Sequence, residues 1–331
     1  MKERGTEWPF GYGKEVEQRG VRMKSAAVTG ATGFIGRWVV AELLRHGINV
    51  YALVRSVEKA ERIFHSKDGL HIVAYDFETD HLKELIPEPV DVVYHFAWSG
   101  VSGEKAGDAE VQILNIRHTL KLVEQLGALG VQRFIGAGSL HEMECLEEMK
   151  AEEAAVNRGI MYKSAKLAAH YMAKVEVCRQ GIQFYWPVIT NAFGIGENSP
   201  RLINTTVRKL IRGENPKFTA GTQLYDFIYI TDLAKAFWMI GEKGVNCRNY
   251  ILGSGKCRPL REYLECVGRN VNPKATLLFG EAPFTGVMLP AACYNTASMK
   301  GDTGFVCEVS FEEGIRRMKQ WMLEGEKDIP V

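Results

Sequence analysis

The sequence predicts an α/β fold, a doubly wound parallel sheet extended by a smaller, discontinuous C-terminal lobe. Three observations carry this. Strand-like apolar runs alternate with segments of helical spacing from Ser25 to Ile189. A glycine-rich turn, Gly30 to Gly36, stands between the first run and the first helical segment. Pro, Gly and Asn then punctuate Asn191 to Gly221 and Gly268 to Pro290, where the alternation breaks down.

Taken in order, Ala26-Ala27-Val28-Thr29 is an apolar run before glycines, as expected of a buried strand. Phe34 to His46 carries Ile35, Val39, Val40, Leu43 and Leu44 at helical spacing and stops at Gly47, a C-terminal capping glycine. Asn49 to Val54, His71 to Tyr75, Val90 to Ala97 and Phe134 to Ala137 are the next strands. Helices are expected over Val111 to Leu129 and Met161 to Gln180, followed by a strand from Gln183 to Ile189. Parallel strands joined by helical crossovers place helices on both sheet faces. Leu202 to Ile211 and Phe311 to Met322 read as helices of the lobe. The expected domains are a flexible extension (1–22), a cofactor-binding domain (23–190, with return segments near 225–255) and a mostly substrate-binding lobe (191–331).

Composition bounds the function. The 331 residues carry 41 Lys and Arg against 40 Asp and Glu, a net charge of +1. That balance favours neither nucleic acid nor an anionic membrane as partner. No apolar run is long enough to span a bilayer, and the first 22 residues lack the apolar core of a signal peptide. Seven dispersed cysteines without a C-x-x-C pair read as reduced thiols, mostly small buried hydrophobes, in a cytoplasmic protein. Histidines such as His65, His71 and His81 lack metal-like spacing, so no metal is expected.

Thr29-Gly30-Ala31-Thr32-Gly33-Phe34-Ile35-Gly36 lies where a Rossmann fold binds a dinucleotide. Glycines let the backbone approach a pyrophosphate, and the following helix N-terminus offers unpaired amides and a positive dipole end. A purely structural turn is the competing reading. An acidic residue after the second strand would accept from the ribose 2′-OH of NAD. Here Arg55 follows Leu53-Val54, and Arg37 follows the last motif glycine. Two arginines there would neutralise a 2′-phosphate, so NADP(H) is expected, with NAD as the alternative. Each arginine also reads as a solvated surface residue. Asp76 and Phe77, after the third strand, would hold the adenine.

Tyr162-Lys163-Ser164-Ala165-Lys166 sets Tyr162 and Lys166 at i and i+4, on one helix face. A phenol with an ordinary pKa of ~10 needs a nearby ammonium to stabilise its anion. Lys166 would also hold the nicotinamide ribose, and Ser139, at a strand end, would hydrogen-bond the reacting oxygen.

With these motifs fall Tyr94-His95-Phe96-Ala97, Asn115, Asn191-Ala192-Phe193-Gly194, Asp226 to Asp232, and Tyr250-Ile251-Leu252-Gly253-Ser254-Gly255. In that order they resemble the extended short-chain dehydrogenases of the NAD-dependent epimerase/dehydratase group, over roughly Lys24 to Met322. Within the group the chain looks most like nucleotide-sugar 4-epimerases and 4-keto-6-deoxysugar reductases. Tyr94 to Gly103 is especially similar to the reductases that finish dideoxyhexoses. The resemblance implies that Asn191 contacts a substrate diphosphate, Asn115 supports the active-site helix, and Ala97 and Pro187 border the cofactor. It places Ser99, Ser139 and His141 beside the sugar, and Ser199 to Ile203, including Arg201 and Leu202, with Phe218 around the nucleotide. It also implies a homodimer paired through the helices Val111 to Leu129 and Met161 to Gln180; apolar residues such as Leu114, Leu122, Leu167 and Met172 would serve the partner, the competing reading being that the lobe covers them or the helices are internal.

The chain departs from the group in places. Leu140-His141 stands where sugar dehydratases carry Asp-Glu, which leaves dehydration without an acid and base. Val188 and Tyr225 replace arginines. The expected activity is therefore hydride transfer at C4 of a nucleotide-linked sugar, with 4-keto reduction favoured. A 4-epimerase with tightly held NAD, a reductase of a non-nucleotide carbonyl and a non-catalytic cofactor-sensing regulator are the alternatives.

Overall fold

The computed structural model of the chain describes residues 22–65, 67–150 and 158–326. The expected N-terminal extension, apart from Arg22, lies outside them.

Strands β1 (Ser25–Thr29), β2 (Asn49–Val54), β3 (Leu70–Ala74), β4 (Val92–His95) and β5 (Arg133–Gly136) alternate with helices α1 (Phe34–Arg45), α2 (Val57–Phe64), α3 (Leu82–Leu85) and α4 (Ala109–Glu124). There follow β6 (Gly138–Ser139), α5 (His141–Glu148), α6 (Ile160–Arg179), β7 (Gln183–Tyr185) and β8 (Val188–Ile189). The main sheet has the order β3-β2-β1-β4-β5-β7 with every neighbouring pair parallel. The strand order reverses between β1 and β4, and in doubly wound sheets ligands bind at the C-terminal ends of the strands at such a point.

The pleat of β1 explains the two layers. Ala26 and Val28 join one buried cluster with Val39, Val40 and Leu43 of α1 and Leu233, Phe237 and Ile240 of α8 (Ile230–Lys243). Ala27 points to the opposite face and joins Leu122 and Val123 of α4 with Ala169, Ala173 and Val177 of α6. A strand buried on both sides must be apolar at every position, which is why β1 reads as a continuous run. The lobe carries α7 (Leu202–Ile211), α9 (Leu260–Val271), α10 (Ala297–Thr303) and α11 (Phe311–Leu323).

The structure corrects the sequence reading at four points. Helix α4 stops at Glu124, and Gly127–Leu129 forms a separate 3₁₀ turn ended by left-handed Gly130. The strand expected from Gln183 to Ile189 is broken at Trp186-Pro187, because proline has no N–H to give a ladder. Its second half, β8, instead centres a small parallel sheet between β6 and the strand Ile251–Leu252. Leu122, expected to face a partner subunit, is fully buried in the core. Of the seven cysteines only Cys145 and Cys266 are buried; the others are half-buried and all are free. The Sγ atoms of Cys178 and Cys247 lie 3.8 Å apart. Among the described residues, no helix is long and apolar enough to cross a membrane.

Candidate active site

The glycine turn is shaped by close backbone approach. Gly30 adopts φ +65°, and a Cβ there would lie 2.6 Å from the Ala97 nitrogen. A Cβ on Gly36 would lie 2.2 Å from the Gly30 carbonyl oxygen. Only glycine allows the loop to close this tightly on β4 and then enter α1. Gly33 is exposed at the α1 N-cap, and the first turn holds no acidic side chain to compete for its amides. Thr32, Phe34 and Ile35 are half-buried around it. This cradle fits a dinucleotide pyrophosphate.

Arg37 is half-buried, and its Nε donates to the Gly33 carbonyl at 3.3 Å, so it folds over the glycine turn. Arg55 is exposed just beyond β2. Asp76 is exposed and accepts from the Glu78 amide at 2.7 Å, while Phe77 stacks on His118 at 4.9 Å.

A buried polar chain supports the crevice floor. Thr29 and His95 end β1 and β4 in register. Thr29 Oγ1 accepts from the Ala97 amide at 3.3 Å and lies 2.8 Å from His95 Nδ1. His95 Nε2 lies 2.9 Å from Thr119 Oγ1, whose hydroxyl donates to the Asn115 carbonyl at 2.9 Å. Thr119 has spent its proton, so His95 must donate from Nε2 and accept the Thr29 hydroxyl at Nδ1. Burial pushes His95 down to about 3, so it stays neutral. The Asn115 amide clasps the Ser99 backbone at both N–H and C=O, at 2.9 and 2.8 Å. Gln112, one turn earlier, accepts from Trp98 Nε1 at 3.0 Å and donates to the Gly100 and Lys105 carbonyls. Together they fix the loop after β4 that carries Ala97, Trp98 and Ser99.

Ser139, Tyr162 and Lys166 come together beside this loop. The small sheet holds Ser139 past the end of β5 by pairing it with Ile189. The Tyr162 hydroxyl lies near Ser139, whose side chain opposes the rise in its pKa, and under the influence of Arg201 at the α7 N-cap. Burial raises Tyr162 above its ordinary range, so the phenol keeps its proton at neutral pH. Lys166 is buried; its Nζ donates to the Ala137 carbonyl at 3.0 Å and sits 3.7 Å over the Trp98 ring. Burial lowers Lys166 to about 7. Pro187 is buried at the break before β8.

On the lobe side, the His141 ring meets Tyr162 edge-on at 5.8 Å and pairs with Glu144 at 2.9 Å. Asn191 donates to the Asp226 carbonyl at 3.1 Å. Arg201 and Leu202 are half-buried, whereas Phe218 packs in the lobe core on Phe279 at 5.5 Å. Val188 is buried in β8. Tyr225 pairs across an antiparallel ladder with Arg258, whose guanidinium lies 4.1 Å over the Tyr263 ring.

Sequence reasoning missed Thr29, Thr119, Gln112, Glu142, His170, Trp186 and Arg258. Gln112 had a local signal, since it sits three residues before Asn115 on the same helix face. Thr119 sits one turn beyond Asn115 and Glu142 three residues beyond Ser139, but their buried partners His95, Trp186 and His170 are met only across elements. Among the described residues, no cluster of His, Cys, Asp and Glu is arranged to hold a metal.

Residues 26–253 match the model of the NAD dependent epimerase/dehydratase family. Over 302 residues the chain is 22% identical to the CDP-abequose synthase of Salmonella muenchen, which spans 89% of this chain and 97% of that protein. Among solved structures, it resembles the UDP-N-acetylglucosamine 4-epimerase of Methanobrevibacter ruminantium M1 in complex with UDP-N-acetylmuramic acid. That likeness has a TM-score of 0.77 at 21% identity and covers 92% of this chain and 100% of the other. The Bordetella bronchiseptica enzyme WbmF in complex with NADH gives a TM-score of 0.73 at 17% identity, over 91% of this chain and 92% of that one.

Proposed function

The chain belongs to the NAD dependent epimerase/dehydratase family, and we propose that it is an oxidoreductase acting at C4 of a nucleotide-linked deoxysugar, reducing a 4-keto group. The observation that carries this reading is the Tyr162 hydroxyl, buried and protonated near Ser139 and one helical turn from buried Lys166, beside the loop that closes on the glycine turn.

A nicotinamide coenzyme, held by the glycine turn from Gly30 to Gly36 and by Lys166, would supply the hydride. Tyr162 gives its phenolic proton to the C4 oxygen as that oxygen gains charge, and the Ser139 hydroxyl hydrogen-bonds the same atom. The Lys166 ammonium, one helical turn on, stabilises the phenolate left behind and binds the nicotinamide ribose. A raised Tyr162 suits a proton donor. Arg37 and Arg55 support NADPH as the coenzyme by their charge near the expected 2′-phosphate. Asn191, Arg201 and Arg258 are the polar and cationic groups available to a diphosphate, with Ser99 and His141 nearer the sugar. The likeness to CDP-abequose synthase supports a sugar-nucleotide substrate. The exposed apolar face of α4 and α6 supports a homodimer.

The test is incubation of the protein with NADPH or NADH and a panel of CDP-, dTDP-, UDP- and GDP-linked 4-keto and 4-hydroxy sugars. Oxidation of NADPH with one 4-keto substrate is expected. Tyr162→Phe lowers turnover by about 100-fold or more while cofactor still binds. Activity of that variant within a few-fold of wild type overturns the assignment. NAD carried through purification, with interconversion of two 4-epimers, replaces the reductase with an epimerase.

A further inference from the structure

Glu142 is a carboxylate in an unexpected place. It is 2% exposed, on the first turn of α5, directly beneath Ser139. Its Oε1 accepts from the Ser139 amide at 2.8 Å and from Trp186 Nε1 at 3.1 Å. Its Oε2 lies 2.8 Å from His170 Nδ1 on α6. His170 in turn stacks on Trp186 at 5.2 Å.

Trp186 is itself the support of the strand end. A Cβ on Gly136 would lie 2.1 Å from its ring, and one on Gly138 2.7 Å away. Ser139, Ala137 with its bond to Lys166, and the α6 helix are thus assembled on one buried unit. A glutamine would satisfy both Ser139 and Trp186 through its single carbonyl oxygen. What a glutamate adds is charge, and burying charge is costly unless it is paired and hydrogen-bonded, as this carboxylate is by Ser139, Trp186 and His170.

We propose that Glu142 is an anionic positioning residue, its charge retained by a proton held on His170 Nδ1, which seats Ser139 and serves as the buried counter-charge to Lys166. The inference rests on the proposed roles of Ser139, Tyr162 and Lys166. The groups facing Lys166 and Tyr162 leave Glu142 as the relevant anion. His95, from β4, is neutral. Arg201, from the lobe, acts on Tyr162 as a cation. His141 and Lys163 are both engaged by Glu144, and Lys163 also by Glu148. Glu142 opposes the lowering of Lys166 and adds to the raising of Tyr162. Loss of its charge therefore moves both groups to lower pH.

Two measurements on the full chain test this without a substrate. The first is NADPH affinity by fluorescence across pH 5.5 to 9.5. In Glu142→Gln, the pH at which affinity falls is expected to move acidward by about one unit. In Glu142→Asp, which keeps the charge but draws the oxygen away from Ser139, the midpoint stays. An unmoved midpoint in the Gln variant, or an equal shift in both, overturns the proposal. The second measurement does not depend on how any Glu142 variant folds. The ¹⁵N shifts of the wild-type histidine rings, with His170 assigned by His170→Gln, report where the shared proton lies. A protonated Nδ1 is expected. A bare Nδ1 puts the proton on Glu142, removes the charge and overturns the proposal. Absence of turnover on every sugar nucleotide would count against the proposed reaction alone.

Discussion

At the residue scale, burial works against ionisation at two positions and makes each testable. Lys166 falls from its ordinary 10.5 to about 7. Between those values the folded protein holds fewer protons than the unfolded chain, so this group makes stability rise with pH across that window. In Lys166→Met the dependence disappears. The variant should therefore gain stability relative to wild type as pH drops from about 10.5 to 7, while cofactor binding weakens. Thermal unfolding at several pH values checks this; a difference in Tm that does not vary with pH would refute it. His95 falls from 6.5 to about 3. The unfolded chain takes up a proton that the folded one refuses, so His95 removes stability as pH falls from 6.5 towards 3. His95→Asn should cost about 1–3 kcal/mol at neutral pH through its lost buried hydrogen bonds. It should also flatten the acid limb of a urea-stability profile, and an equally steep limb would contradict the neutral assignment.

At the scale of elements, the break between β7 and β8 matters more than the strands themselves. Trp186 fills the space left by Gly136 and Gly138, and Pro187 releases β8 to pair with β6. That exchange carries Ser139 to the side of α6. Gly136→Ala would drive its methyl into the Trp186 ring. We expect a loss of ~1–3 kcal/mol from overpacking, with displacement of Trp186 and hence of Ser139. Denaturant unfolding measures the first and turnover the second; a variant of wild-type stability would show that the strand end is looser than its packing indicates.

At the scale of the whole molecule, α4 and α6 lie side by side on the sheet and keep an outer face of Ile113, Leu114, Met161, Tyr171, Met172 and Val175 exposed. Soluble monomers rarely expose so continuous an apolar face. The proposed homodimer would cover it through a two-fold, self-complementary contact. Light scattering of the wild type should give twice the subunit mass at micromolar concentration. Met172→Glu should give single subunits with unchanged circular dichroism. A wild-type mass of one subunit removes the dimer. Leu122 is unsuitable for such a test, since a charge there would be buried in the core.

Local patterning alone determined much of this protein. Continuous apolar runs marked strands buried on both faces, a 3.6-residue spacing marked α1 and α6, and the glycines placed the cofactor turn. Those signals are local because backbone geometry and periodicity act over a few residues. Tyr162 and Lys166 were legible for the same reason, being neighbours on one helix. Only the tertiary structure decided which groups meet from far apart in the chain. Glu142 reaches Trp186 and His170, and Thr29 reaches Thr119 through His95. It also decided that Leu122 turns inward and Met172 outward, since both are apolar residues on helices and only the packed neighbours distinguish them. Burial sets the protonation of Lys166 and His95, and burial belongs to the assembled fold rather than to any stretch of chain.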